Sequence, residues 1–228
     1  MDDSRKTAQS GFTMIEMLIV VSVIAILATI AVPNYLSSKV IANETAVVST
    51  LKNVATAQLL FRQSRFLDRN VDGAGEFGFL GEMSGRTALR GSGEFLKPPV
   101  LSSAIGDTDA TGFSERHGYL LALYLPNAAG VGVPEIASKI GTIDPDRSAS
   151  FFTCVAWPIS YGKSGQRTFF MNQQGDVLAT VDFAYNGHTG VPVPNCALVG
   201  VPPGVITTNS LAYGGQVGVD GNRWNPVH

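Results

Sequence analysis

The sequence predicts an α+β fold, in which one long N-terminal helix packs on a small antiparallel β-sheet. Two observations carry this prediction. Gly11 and Pro33 are the only glycine and proline before residue 70, although the chain has 25 glycines and 12 prolines. Because both residue types interrupt helices and favour turns, helix gives way to strands and turns after that point. Apolar residues at helical spacing before residue 65 are the second observation.

Composition narrows the class of protein further. The 228 residues include 16 Lys and Arg against 18 Asp and Glu, so the chain has no net positive charge that would attract nucleic acid. No nucleic-acid partner is therefore predicted. Hydrophobic residues make up 45% of the chain, which excludes extended disorder. Two cysteines are too few for a disulfide-rich scaffold or a four-cysteine zinc site.

The first element is the apolar run Ile15–Val32, in which Glu16 is the single charge. At about 1.5 Å per residue this run covers about 27 Å as a helix, close to the roughly 30 Å hydrocarbon core of a bilayer. Arg5 and Lys6 precede the run and favour a cytoplasmic N-terminus, with the rest of the chain outside the cytoplasm.

Two alternatives for this run are an ordinary secretory signal and a plain membrane anchor. A secretory signal normally has an apolar region of about 7–15 residues, and the run here is longer. A plain anchor does not usually carry an unpartnered carboxylate, which costs about 2.5–3.5 kcal/mol at mid-bilayer. Glu16 therefore points to a more specific role than anchoring.

The segment Gly11-Phe12-Thr13-Met14-Ile15-Glu16, followed by the apolar run and Pro33, resembles the N-terminal signature of type IV pilins and type II secretion pseudopilins. The strong resemblance covers roughly residues 1–65. It implies that a prepilin peptidase cuts between Gly11 and Phe12, and that Phe12 is then N-methylated. It also implies that the helix packs on the sheet as in pilins.

The resemblance implies roles for two further residues. Glu16 stands where the family has its glutamate, and it would pair with the Phe12 ammonium of a neighbouring subunit during assembly, since each charge is costly alone in an apolar bundle. Pro33 stands where a helix-kinking proline is common. It removes one backbone donor, so a kink or local melting is expected there.

The helix continues past Pro33, because residues 34–65 contain no glycine or proline. One apolar stripe recurs at spacings of three, four or seven residues and predicts a face that packs on the sheet. Its members are Val40, Val47, Leu51, Val54 and Phe61. The predicted organisation is a leader (1–11), a transmembrane and filament-core helix (12–33), an amphipathic helix (34–67) and a β-rich head (68–228).

Four segments of the head are predicted as strands. The last two flank Asn172–Gly175, whose asparagine and glycine favour a hairpin turn. Residues 190–228 are rich in Gly, Pro and Val and are predicted as loop, with room for one edge strand. The four predicted strands are Tyr119–Leu125, Ser150–Ala156, Arg167–Met171 and Asp176–Val181.

No enzymatic activity is predicted. Residues 73–78 fit G-x-G-x-x-G, but a dinucleotide site needs a strand before this motif and a helix after it. The chain contains no G-x-S-x-G or H-E-x-x-H motif, and His117, His188 and His228 are scattered.

A calcium site is a candidate in the loop after the long helix. Asp68, Asn70 and Asp72 alternate before a glycine as in the first half of a calcium-binding loop, with Glu76 or Glu82 as a further carboxylate. Phe79 occupies the position of the closing glutamate of an EF-hand, so that motif is excluded. The alternative is a polar turn that ends the helix, for which the same residues are suited.

Cys154 and Cys196 are the only thiols, and the topology places them in an oxidising compartment, so a disulfide between them is predicted. Such a bridge would contribute about 3–4 kcal/mol on the loop-entropy model. The alternative is that Cys154 is a small buried apolar residue.

The functional prediction is a non-enzymatic pseudopilin of a type II secretion filament. A type IV pilus subunit for adhesion, motility or DNA uptake is the first alternative, and a membrane-anchored periplasmic binding module is the second. The expected partners are copies of the chain, other pilins or pseudopilins, the prepilin peptidase and an inner-membrane assembly platform. Before assembly the chain would rest in the inner membrane with its head in the periplasm, and afterwards it would lie in an envelope or surface filament.

Overall fold

The computed structural model describes residues 12–227. The first helix, α1, spans Met14–Gln63 as predicted for a long N-terminal helix. Contacts within the chain separate an N-terminal unit that ends at Lys39 from a compact C-terminal unit that begins at Val40. The second unit starts within the helix, six residues beyond the predicted boundary between residues 33 and 34.

The N-terminal unit consists of helix with every described side chain exposed. This is the one helix within residues 12–227 that is long and apolar enough to cross a membrane. Pro33 lies inside it without a break in helical structure, so the local melting anticipated there is not observed. Pro33 removes only one backbone N–H donor, so the backbone hydrogen bonds of the neighbouring helical turns stay in place. The kink stays a prediction.

The C-terminal unit holds short helices and a β-sheet. A single-turn helix α2 (Leu80–Met83) follows the end of α1, and a second short helix, α3 (Pro145–Ser148), precedes the fourth strand. Ile140–Thr142 forms a 3-10 turn. The strands are β1 (Phe113–Arg116), β2 (Tyr119–Pro126), β3 (Gly132–Pro134), β4 (Thr153–Pro158), β5 (Arg167–Asn172), β6 (Val177–Val181) and β7 (Asn225–Pro226).

The sheet is antiparallel throughout, with seven strands in the order β1-β2-β4-β5-β6-β7 and β3 paired to the end of β2. Strands β1 and β3 therefore lie along one edge, and β6 with β7 forms the other. The four predicted strands correspond to β2, β4, β5 and β6, although Ser150–Phe152 lies before β4 and is not strand. The α+β fold class is confirmed.

The predicted hairpin joins β5 to β6. Met171 pairs with Val177, and the turn between them is closed by a hydrogen bond from the Gly175 backbone N to the Asn172 carbonyl (3.0 Å). Gly175 has φ +83°, a conformation that side chains with a Cβ rarely adopt. The Asn172 side chain also accepts a hydrogen bond from the Gln174 backbone N (3.0 Å). The turn residues thus determine the register of the two strands.

The sheet is covered on both faces. Val47, Leu51, Val54 and Phe61 of α1 are fully buried in the cluster on one face, which confirms the stripe except for half-buried Val40. Alternate strand residues face the other cluster, which the C-terminal segment covers through Cys196, Leu198 and Trp224, among others. Because both faces are covered, β2 and β4 are buried along their whole length and have continuous apolar sequences.

One buried carboxylate ties α1 to the sheet. Glu44, 5% exposed, accepts hydrogen bonds from the backbone N of Gln166 (2.9 Å) and Arg167 (3.1 Å), and its Oε2 lies 2.6 Å from Arg167 Nε. Both carboxylate oxygens are therefore occupied at the start of β5. Charged hydrogen bonds of this kind are the strong ones in proteins.

Replacing Glu44 by glutamine should lower the free energy of unfolding by about 2 kcal/mol. The neutral amide loses the charge-assisted hydrogen bonds, and its NH2 group faces N–H donors with which it cannot bond. Chemical unfolding of the detergent-solubilised chain measures this. Glu115→Gln, at an exposed position of β1, is the matched control and should change little. Equal unfolding midpoints for the two variants would contradict the role of Glu44.

Candidate functional site

The N-terminus of α1 carries a capping box. Thr13 precedes the first helical residue, and its Oγ1 accepts a hydrogen bond from the Glu16 backbone N (3.3 Å). Glu16 Oε2 in turn accepts from the Thr13 backbone N (2.9 Å) and the Thr13 hydroxyl (2.7 Å). The T-x-x-E spacing at 13–16 indicates this motif in the sequence, and sequence reasoning missed it.

The box gives Glu16 partners within its own chain. Its carboxylate lies in the first turn, where the helix dipole favours negative charge and leaves backbone donors unpaired. The cost of a charge at the end of an apolar helix is thus reduced before any partner arrives. Pairing of Glu16 with a neighbouring Phe12 ammonium stays a prediction, as does cleavage. Gly11 lies outside the described residues, and Phe12 is 78% exposed.

The exposed face of the N-terminal unit is apolar on every side. Exposed large side chains extend from Met14 to Leu36, and no side chain in this range is buried. Soluble monomers rarely expose a contiguous apolar surface of this size. A helix that is apolar all round needs either lipid or other helices around it. The unit is therefore suited both to a membrane and to a helical bundle.

The predicted calcium loop contains a buried ion-pair network instead. Glu76 is fully buried, and its Oε2 accepts hydrogen bonds from Arg69 Nη2 (2.8 Å) and the Ser148 hydroxyl (2.8 Å). Arg90 Nη1 lies 3.7 Å from the same oxygen. Burial alone would raise the pKa of Glu76, but the hydrogen bonds from Arg69 and Ser148 and the Arg90 charge outweigh it, and the pKa lies below its ordinary value.

Glu82 belongs to the same network. Its Oε1 accepts from the Arg90 backbone N (2.8 Å) and Arg90 Nε (2.9 Å), and its Oε2 accepts from the Phe79 backbone N (2.8 Å). Glu76 and Glu82 are thus occupied by arginine. Two guanidinium groups already supply positive charge to these carboxylates, which does not favour a calcium-ligand role; that role stays a prediction.

The other three candidate ligands form a turn. Asp68 Oδ2 accepts from the Gly73 backbone N (3.1 Å), and Asp72 Oδ1 accepts from the Ala74 backbone N (2.7 Å). Asn70 Nδ2 donates to Asp72 Oδ2 (2.8 Å) and to Asp146. Across residues 12–227 no three His, Cys, Asp or Glu side chains are grouped to hold a metal ion. The arrangement favours the alternative, a polar turn after the helix.

The predicted disulfide is also not formed. Both cysteines are free and fully buried, and they lie in the clusters on opposite faces of the sheet. Cys154 faces α1, whereas Cys196 lies in the segment that covers the far face, so the sheet separates them. Burial raises the pKa of the Cys154 thiol to about 12, and the alternative of a small buried apolar residue describes it.

Comparison with known proteins gives three findings. The family model of the prokaryotic N-terminal methylation motif matches residues 6–32. The chain is 40% identical over 99 residues to the type IV major pilin protein PilA of Myxococcus xanthus, covering 43% of this chain and 40% of that protein. It is 42% identical over 52 residues to the type IV wide pilus major component PilA4 of Thermus thermophilus, covering 23% and 40%.

The chain thus spans about 40% of the length of these two relatives. No solved structure matches it. The matched motif contains Gly11–Glu16 and the apolar run of the signature and ends one residue before Pro33, and both relatives are pilus proteins by name. The chain therefore carries the prepilin-type N-terminal signature of the type IV pilin and pseudopilin family.

Proposed function

We propose that this protein is a structural subunit of a type IV pilus, held in the filament by the apolar half of α1. The observation that supports this most is the fully exposed apolar helix that begins with the Thr13–Glu16 capping box. Both relatives are named as major pilus components, which favours this function over the type II secretion pseudopilin predicted from the sequence.

The proposed path begins in the inner membrane, with the N-terminus in the cytoplasm and the C-terminal unit in the periplasm. The helix then exchanges lipid for the helices of other subunits. Since lipid tails and packed helices are both apolar, this transfer exposes no apolar surface to water. Prepilin peptidase, an inner-membrane assembly platform and other pilins are the proposed partners.

Native processing gives the first test. The mature chain should begin at Phe12 and carry one additional methyl group, because the cut after Gly11 leaves a free N-terminal amine for methylation. Intact-mass analysis of the protein from its own cells measures both changes. A chain that still begins at Met1, or one cut near Ala31, would refute the prepilin assignment.

The type of filament needs a separate test. Cells that lack the chain should lose surface filaments that can be sheared off, and sheared filaments of the parent should contain the chain as a main component. Secretion of folded proteins across the outer membrane should stay unchanged. Intact surface filaments together with a secretion defect would instead support the pseudopilin function.

A further inference from the structure

A cavity lies beyond the sheet edge formed by β1 and β3. Its volume is about 500 Å³, and its walls come from α2 and from the segments that flank these two strands. Apolar side chains such as Phe79, Ile136 and Ile140 line most of it. Three carboxylates, those of Glu82, Asp109 and Glu135, also line it, and no Lys or Arg does. The cavity is therefore apolar with an acidic wall.

Within residues 12–227, Glu135 in this wall forms no hydrogen bond or ion pair with a Lys or Arg side chain. It accepts hydrogen bonds only from the Gly81 backbone N (3.0 Å) and the Thr87 hydroxyl (3.0 Å). A Cβ at Gly81 would overlap Glu135 Oε1, so glycine makes room for the carboxylate. Glu82 is held by Arg90. Asp109 accepts hydrogen bonds from Thr111 and Phe113, and His188 Nδ1 lies 3.9 Å from its Oδ2.

Within residues 12–227 the charge of Glu135 is compensated only in part. Burial raises the pKa of Glu135 to about 7. The hydrogen bonds from Gly81 and Thr87 and the charge of Arg90 offset this only in part, and the charge of Glu82 adds to it. A carboxylate that is held in an apolar cavity without a counter-ion is stabilised most by a cation from outside. The cavity is partly open, which gives such a cation a route to the carboxylate.

The opposite edge of the sheet carries the complementary charge. A second cavity of about 460 Å³ lies beside the edge formed by β6 and β7. Its lining among the described residues includes Arg167 and Arg223 and no carboxylate. Arg167 is held by Glu44. Arg223 is exposed and forms no ion pair with any residue of the described range. One edge of the unit thus carries Glu135, which pairs with no Lys or Arg within residues 12–227, and the opposite edge carries Arg223, which forms no ion pair within the same range.

We propose that Arg223 of one subunit enters the cavity beside β1 and β3 of the next subunit and pairs with Glu135 there. The inference rests on the proposed function, because a repeating filament brings one edge of each subunit against the opposite edge of another. Arginine has an apolar stem and a planar fork that bonds a carboxylate bidentately, which matches an apolar cavity with one carboxylate. The same pair would recur at every subunit contact.

A double-mutant cycle on sheared filaments tests the pair. Glu135→Gln and Arg223→Gln should each lower filament yield about tenfold, and the double variant should fall no further, since both changes remove one interaction. Lys163→Gln, an exposed cation that lines neither cavity, is the matched control and should keep the parental yield. A double loss equal to the product of the single losses would overturn the pair, as would parental yields for the single variants.

Cysteine cross-linking tests the geometry. Ser138 is exposed at the cavity wall, so Ser138→Cys combined with Arg223→Cys should give a ladder of oligomers in oxidised filaments. The ladder must extend beyond the dimer, because the contact joins different edges. Ser138→Cys with Lys163→Cys is the control, and the two native thiols are buried. Monomers only, or dimers only, would overturn the proposal.

Failure of the proposed contact can be distinguished from failure of the proposed pilin function. If the parental chain forms no filament at all, the pilin function fails before any variant is compared. If the parent assembles and only the cycle or the ladder fails, the contact is wrong and the pilin function stands. Thermal unfolding of each solubilised variant identifies any loss of yield that comes from misfolding.

Discussion

Glu16→Ala is expected to lower filament incorporation at least tenfold while the chain still accumulates in the membrane. The change leaves the Phe12 ammonium of a neighbouring subunit without its counter-charge in an apolar bundle, and a lone charge there costs several kcal/mol. It also removes the acceptor for the Thr13 backbone N and hydroxyl. Immunoblots of sheared filaments and membranes measure the two pools.

Two further variants separate the charge of Glu16 from its capping role. Glu16→Gln retains a side-chain acceptor for the Thr13 donors but has no charge, since glutamine also serves in capping boxes. Thr13→Ala removes the cap and keeps the carboxylate. We expect Glu16→Gln to assemble as poorly as Glu16→Ala, and Thr13→Ala to assemble nearly as well as the parent. The reverse order would mean that the cap, and not the charge pair, is needed.

Folding of the C-terminal unit should be unaffected by these changes, because the Glu16 side chain is exposed and its hydrogen bonds within residues 12–227 are to Thr13 alone. The unfolding midpoint of solubilised Glu16→Ala should match the parental midpoint. A lower midpoint would show that loss of assembly reflects misfolding, and the pairing argument would then lose its support.

The long helix and four central strands could be predicted because their signals are local. Each of β2, β4, β5 and β6 contains enough β-branched, aromatic and aliphatic residues to indicate a strand. Strands β1, β3 and β7 have two to four residues each. They are strands only because a longer neighbour pairs with them, as Leu178 and Ala179 do with β7. Their own sequences carry no such information.

The surroundings of the candidate calcium ligands and of the two cysteines could not be predicted for a related reason. Alternating Asp and Asn before a glycine suit a metal loop and a helix-ending turn equally. Arg69, within the motif, and Arg90, 17 residues after Gly73, pair with the two glutamates, and the motif pattern ignores both. Arg90 reaches both carboxylates only because the loop folds back on α2. The predicted disulfide rests on the presence of two thiols in an oxidising compartment, and the compartment does not determine which face of a sheet each thiol occupies.

Glu76→Ala is expected to give the largest loss of stability, about 3–5 kcal/mol, because it leaves the Arg69 and Arg90 guanidinium groups without their shared carboxylate in a buried site. Chemical unfolding of the solubilised chain measures this. Glu94→Ala, an exposed glutamate in the same region, is the matched control and should change little. Equal losses for the two variants would show that the network does not stabilise the fold.

The pH dependence of the parental chain provides an independent check on Glu76. Because its pKa is lowered in the folded protein, its contribution is complete above the unfolded value of 4.5 and is lost as pH falls through the folded pKa. The gap in unfolding free energy between parent and Glu76→Ala should therefore shrink below pH 4.5. Millimolar calcium or excess chelator should leave both midpoints unchanged, because arginine occupies the carboxylate. A calcium-dependent rise in the parental midpoint that Glu76→Ala abolishes would mean that the ion competes with Arg69 for this site.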